Sequence, residues 1–251
     1  MKKLYAGLAS WLILAGAVTA HATPVLVSDN PWGYDESANF DDVFGAGNYV
    51  SYTYGAATPA NIFNAANSFV MLEGGDGTDG TFASYVNTHY ADVLSWVNDG
   101  GNLLLQSASW YRDPVTFGPA TISGPQAELS NGGTLTADGM AAFTFSPTPT
   151  YQTGNYLSHD YVTGAGLTTF MVNDDGDATV AGRSYGSGYI MYSGLTTSNY
   201  HDSGPGLVDN VIAYTAHQNA PAPVPEPATM LLFGSGLAGL AGTNLRKRKK
   251  C

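Results

Sequence analysis

The sequence predicts an α/β domain: a mostly parallel sheet flanked by helices, with a β-rich insertion and an apolar helix near the C-terminus. Three observations carry this. Short uncharged runs of Val, Leu, Ile and Met recur near residues 24–27, 68–72, 102–106 and 188–195, the pattern of strands buried on both faces. Segments of helical periodicity lie between them. A further uncharged stretch, at 228–245, is long enough to cross a bilayer as a helix of about eighteen residues.

The elements follow in chain order. Residues 23–29 read as a buried strand entering a loop, and Phe40, Val43 and Phe44 repeat at helical spacing within 35–47. Alternation marks 49–54 as a strand. The run 68–72 enters an acidic glycine loop, 73–80. The strongest helix is expected over 81–98, with Phe82, Tyr85, Val86, Tyr90, Val93, Leu94 and Val97 on one face. Gly100 and Gly101 end it, and 102–106 is the next buried strand. Residues 116–145 read as strands and turns, and 151–160 as a short helix. Two strands, 168–172 and 179–185, flank the turn at 173–177. A last strand at 188–195 precedes a helix over 206–217, whose Leu207, Val208, Val211, Ile212 and Tyr214 face inward.

Both ends of the chain carry address-like features. Lys2 and Lys3 precede an apolar run to Val18, and Ala20-His21-Ala22 supplies the small-x-small site of a signal peptide, residues 1–22, cut by signal peptidase. The mature domain is expected over 23–217, followed by a Pro/Ala linker, 218–223, stiffened by proline. Val224, Pro225, Glu226 and Pro227 come next, then the apolar stretch, then Arg246, Lys247, Arg248, Lys249 and Lys250. Those charges hold the tail end on the cytoplasmic side of the inner membrane and place the domain outside it. Pro-Glu-Pro, an apolar helix and a basic terminus in this order resemble the PEP-CTERM sorting signal. The resemblance implies an exosortase as processing partner, Pro225, Glu226 and Pro227 as its recognition element, and later removal of the helix. A cell surface or matrix destination beside exopolysaccharide is expected.

Charge narrows the function classes. Of 9 Lys and Arg, only Arg112 and Arg183 lie between the two terminal segments, against nineteen of the 20 Asp and Glu, a net −17 for the domain. Nucleic acid is excluded as a partner, because phosphate neutralisation needs clustered Lys and Arg. The single cysteine, Cys251, leaves the domain without disulfides, thiol nucleophiles or thiolate metal ligands.

A second resemblance rests on Trp96-Val97-Asn98-Asp99-Gly100-Gly101-Asn102-Leu103-Leu104-Leu105 and on 186–195 with 210–214. These are similar to class I glutamine-amidotransferase-like domains, which implies a flavodoxin-like fold. Residues 105–110, the equivalent of the nucleophile elbow, hold no Cys and no flanking glycines, so amidotransferase activity is not expected. Ser107 or Ser109 with His201 or His159 is the one nucleophile–base pairing the residues offer.

In such a sheet ligands gather beyond the carboxyl ends of the strands. The loops there supply Asp29, Trp32, Glu73, Asp76, Asp79, Trp110, Arg112, His201 and Asp202 as candidate ligand-binding residues. Aromatic rings beside carboxylates suit sugar stacking, or a Ca²⁺ ion held by oxygen ligands. No other cofactor is indicated, and the histidines lack the spacing of a zinc site. The expectation is a non-catalytic glycan- or matrix-associated module. A secreted hydrolase of polysaccharide or peptide bonds is the alternative, which a cleft holding two carboxylates such as Asp76 and Asp202 would favour.

Overall fold

A computed structural model describes residues 22–75, 79–109, 114–124 and 130–218. The apolar run Pro24–Val27 forms β1, and its parallel neighbours are β2 (Val50–Tyr52) and β3 (Phe69–Gly75). Beyond β3 come β4 (Asn102–Ala108) and then β12 (Gly188–Ser193), both parallel to it. Here the sheet changes character. Strands β11 (Ala178–Tyr185), β10 (Thr168–Asn173), β7 (Ser130–Leu135) and β8 (Tyr151–Ser158) extend it with antiparallel pairing. The result is one nine-stranded mixed sheet in the order β2-β1-β3-β4-β12-β11-β10-β7-β8. A separate three-stranded antiparallel sheet joins β5 (Val115–Phe117), β6 (Ala120–Ser123) and β9 (Tyr161–Gly164).

The expected flavodoxin-like, mostly parallel sheet is therefore corrected. The molecule is β-rich, with twelve strands among the described residues and only a few helices. Of the later strands, β5, β6 and β9 form the small sheet, whereas β7, β8, β10 and β11 continue the main one. Their short connections, such as the turn at Asn173, where Gly176 donates its N–H to the Asn173 carbonyl, allow hairpins but not crossover helices. Of residues 151–160, expected to be helical, 151–158 form β8, where pairing with β7 satisfies their backbone. The helix expected over 81–98 is two, α3 (Asp79–Thr88) and α4 (Tyr90–Asn98), broken at His89, whose φ of −104° and ψ of 17° leave the helical region. No described helix is long and apolar enough to cross a membrane. The expected spanning helix at 228–245, with Val224 to Pro227, Ala20 and the rest of the signal peptide to His21, lies outside the described residues.

Alternation along the strands builds two cores. Val70, Leu72, Leu103, Leu105, Ile190 and Tyr192 face α3, α4 and the small sheet. Leu26, Phe69, Met71, Leu104 and Met191 face α1 (Ser37–Phe44) and α6 (Gly206–Ala216), meeting Phe40, Leu207 and Val211. Two short helices, α2 (Pro59–Ile62) and α5 (Ala137–Ala142), complete the set. The Tyr192 hydroxyl donates to the Phe117 carbonyl at 2.7 Å and ties the small sheet to the large one.

Candidate functional site

The parallel strands release the chain at one edge, and the exits after β1 and β12 are described in full. After β1, Asn30 and Trp32 adopt left-handed backbone angles (φ 54° and 65°) around a 3-10 turn, Pro31–Gly33. This swings the Trp32 ring over the end of β3. Gly75 makes the approach possible, since a Cβ there would collide with the indole nitrogen and Pro31. After β12 the chain doubles back beside β8, with antiparallel bridges pairing Ser158 with Leu195 and Gly154 with His201. The second 3-10 turn, Ser198–Tyr200, thereby sets Tyr200 against Tyr156.

Four rings converge. Trp32 meets His159 at a centroid distance of 4.8 Å and an interplanar angle of 86°, and meets Tyr200 at 5.9 Å and 69°. Tyr156 closes the circuit, 5.8 Å from His159 and 6.3 Å from Tyr200, at 84° and 76°. Within this cluster His159 is buried, 4% exposed, and Tyr156, 40% exposed, reaches solvent. Trp32 and Tyr200 are half-buried. Tyr156 also has a left-handed backbone, φ 66°. A non-glycine residue held there costs about 1–3 kcal/mol, and such strain gathers at ligand clamps.

Two carboxyls nearby, Glu36 and Glu73, are buried, 0% and 1% exposed. Glu36 Oε1 accepts from the Gln106 Nε2 and the Ser198 N–H at 3.0 and 3.1 Å. The Ser198 hydroxyl sits 3.0 Å from Glu36 Oε2 and 2.8 Å from Asn39 Oδ1. Asn39 has its orientation set, because its amide donates to Asp209 Oδ1 at 2.8 Å. One hydroxyl proton cannot serve two acceptors fully. The network closes if Ser198 donates to Asn39 and a protonated Glu36 donates to Ser198. Burial points the same way, raising Glu36 to about 7 despite the lowering effect of its hydrogen bonds. Glu73 is pushed well above the usual carboxylate range, first by burial and then by the neighbouring Glu36. The Ser28 hydroxyl and the Glu36 backbone lie near it, and among the described residues neither oxygen completes a well-formed hydrogen bond. Burial lowers both His159 and His201 to about 4, so each is neutral at neutral pH.

Of the expected set, Trp32 joins the ring cluster and Glu73 lies buried beside Glu36. Asp29 accepts from the Tyr54 N–H at 3.0 Å and braces the loop. His201 is buried beside the Leu157 and Thr196 backbone and does not join the rings. Asp202 is exposed, its N–H donating to the Thr153 carbonyl at 2.8 Å. Asp79 opens α3. Asp76, Trp110 and Arg112 lie outside the described residues. Ser109, His159 and Asp160 meet around Gly124, where the Ser109 and His159 carbonyls and the Asp160 carboxylate would crowd a Cβ. At the turn expected over 173–177, Asn173 Oδ1 accepts from the Asp175 and Asp177 N–H groups at 3.1 and 2.8 Å. Among the described residues no three His, Cys, Asp or Glu assemble as metal ligands.

Sequence reasoning missed Glu36, Tyr156 and Ser198. Glu36 reads as a helix-leading acid, and nothing local says it is buried. Tyr156 falls in a segment whose left-handed backbone no residue type announces.

A groove of about 740 Å³, lined by Phe63, Asn64, Asn67, Trp96 and Asp99, lies at the opposite end of the parallel strands. Its amides are spent internally, Asn64 on Ala60 and Asn61 and Asn67 on Asn61 and Ile62.

The model of the PEP-CTERM protein-sorting motif matches residues 223–249. No curated protein matches the chain. Solved structures similar to it include a cytoplasmic protein of Salmonella typhimurium, at 10% identity and a TM-score of 0.49, covering 77% of this chain and 98% of that one. A candidate GMP synthase component from Thermoplasma acidophilum shares 11% identity at a TM-score of 0.47, covering 78% and 95%. A cold-adapted β-galactosidase from Rahnella sp. R3 shares 12% at 0.48, covering 82% of this chain but 33% of the enzyme. At such identities and scores these likenesses carry no functional reading. The motif at 223–249 does: the chain carries a PEP-CTERM sorting signal and is an exported protein, membrane-anchored until exosortase processes it.

Proposed function

We propose that the exported domain is a non-catalytic module that associates with glycan at the cell surface or in the matrix. The observation that carries this is the cluster of aromatic rings of Trp32, Tyr156, His159 and Tyr200, two of whose members sit on strained backbone. Preformed rings recognise sugars at low entropic cost, because little side-chain freedom remains to be lost on binding. Glu36 and Glu73 are sealed from solvent, whereas glycoside hydrolysis needs paired carboxyls opening on the substrate. That contrast favours binding over hydrolysis.

Retention of the exported protein on immobilised exopolysaccharide, abolished by Trp32→Ala, is the expected result. Failure to bind any glycan tested would sink this reading. For the sorting signal, the exported protein should have lost residues 231–251 by mass spectrometry.

A further inference from the structure

The groove at the opposite end of the parallel strands is built by two elements. Ala60 and Phe63 come from α2 and the loop that follows it, Asp92, Ser95 and Trp96 from α4, and Asp99 from the end of α4. Its volume of about 740 Å³ falls within the range of about 300–1,000 Å³ common to ligand sites. Trp96 is fixed in place. Its Nε1–H donates to the Asn64 carbonyl at 3.2 Å, and Gly101 lets the ring lie against the main chain, where a Cβ would collide with it. Phe63, half-buried, packs against Trp96 at a centroid distance of 5.5 Å.

The hydrogen-bonding groups left over are mostly of one kind. Both amide hydrogens of Asn64 and of Asn67 go to main-chain carbonyls, as does the indole N–H. What remains is the Asp92 and Asp99 carboxylates with the Ser68 and Ser95 hydroxyls. Asp92 stands 3.9 Å from His89 Nδ1, beyond hydrogen-bond reach, and Asp99 takes one surface bond of 3.3 Å from the Asn98 amide. Spacing of three and seven residues puts Asp92, Ser95 and Asp99 on one side of α4, with the carboxylates about 10 Å apart along it. A groove with two carboxylates and no spare side-chain N–H rejects phosphate, sulfate and uronate groups. It suits a ligand that brings its own donors. Apolar rings beside those acceptors suit one apolar face and a hydroxylated edge, the build of a pyranose.

Resting on the glycan reading above, we propose that the groove between α2 and α4 is a second glycan site, which takes an uncharged, hydroxyl-rich oligosaccharide segment with its hydroxyls on Asp92 and Asp99. The domain then holds polymer at both ends of its parallel strands, and two weak sites together give a retention that neither gives alone.

Two variants test it at exposed positions, where the fold is not at stake. The double variant Asp92→Asn, Asp99→Asn removes the acceptor charges, and Ser95→Trp fills the groove. The isotope-labelled exported protein is titrated with cellotetraose, mannotetraose, oligosaccharides cut from the native exopolysaccharide, and hexalysine, and its backbone amides are followed by NMR. At least one of the uncharged sugars is expected to shift residues 60–68 and 92–101, with affinity falling at least about tenfold in each variant and thermal stability unchanged. Shifts confined to the surroundings of Trp32 and Tyr200 would overturn the second site and leave a glycan module standing. Unchanged affinity in both variants would overturn it as well. So would hexalysine shifting the groove where no sugar does, which would make it a site for basic peptide. No shift anywhere with any of the sugars would remove both readings.

Discussion

The parallel and antiparallel halves of the nine-stranded sheet divide the work of this molecule. In the parallel half, β3, β4 and β12 are buried along their whole length between two layers. Polar groups enter it only towards the strand ends, as Glu73, Gln106 and Ser107. In the antiparallel half one edge strand, β8, mixes buried Leu157 with exposed Tyr151 and Tyr156. The site forms at the seam, where β8 turns its residues towards the exits of the parallel strands. A rigid buried half supplies position, and an exposed half supplies surface.

The sharpest break of this comparison is a core truncation. Leu104→Ala removes a side chain with 0% exposure from the parallel half and should cost about 2–5 kcal/mol in urea unfolding. A loss below about 1 kcal/mol would show that this half is not the stabilising one.

Next in size is the buried acid. Glu36→Ala leaves the Ser198 N–H and the Gln106 amide without their acceptor and should cost about 1–3 kcal/mol, whereas Glu36→Gln imitates the neutral acid and should cost much less. The two differ in pH dependence from wild type. With Glu36 raised to about 7, the folded protein holds a proton that the unfolded chain releases near 4.5. The stability this confers is full below about 4.5 and fades as pH rises through about 7, a change of up to about 3 kcal/mol. His159 and His201, lowered from 6.5 to about 4, act in the opposite sense. Their share is full above 6.5 and fades as pH falls through about 4. Thermal unfolding from pH 4 to 8 should therefore show Glu36→Gln gaining on wild type as pH rises. A constant offset would mean that Glu36 does not titrate in this range.

A smaller effect is expected where the backbone of β8 is strained. Tyr156→Gly should stabilise by about 1 kcal/mol, as relief of the left-handed backbone outweighs the added chain entropy. Destabilisation would mean that the ring, not the site, accounts for the strain. Smallest of all, Tyr151→Ala, at a side chain 51% exposed on the same strand, should change stability by about 0.5 kcal/mol or less.

Much of the parallel half was legible. Continuous apolar runs identify β1, β3, β4 and β12, because burial on both faces leaves no room for polar alternation. Strand β7, Ser-Asn-Gly-Gly-Thr-Leu, gives no comparable signal. Its partners β8 and β10 supply the hydrogen bonds that its own residues do not advertise. Hence the expectation of a mostly parallel sheet failed at the place where pairing is set by neighbours. At the site, Trp32 was visible as a residue beyond a strand end, and Glu73 as an acid after an apolar run, although it lies within β3. Glu36 and Tyr156 were not, because burial and backbone strain are properties of surroundings.

By itself the sequence determined the address and the charge. A sorting signal is read by a processing enzyme as a local string, so residues 223–249 carry it without reference to the fold. The net −17 of the domain is likewise a matter of counting. Only the tertiary structure decided that β8 extends the main sheet, that Glu36 and Glu73 share one dry interior, and that Trp32, Tyr156, His159 and Tyr200 meet although separated by up to 168 positions. Such meetings depend on strand order and on which face each side chain takes, and both are settled by long-range pairing and burial that no local window contains.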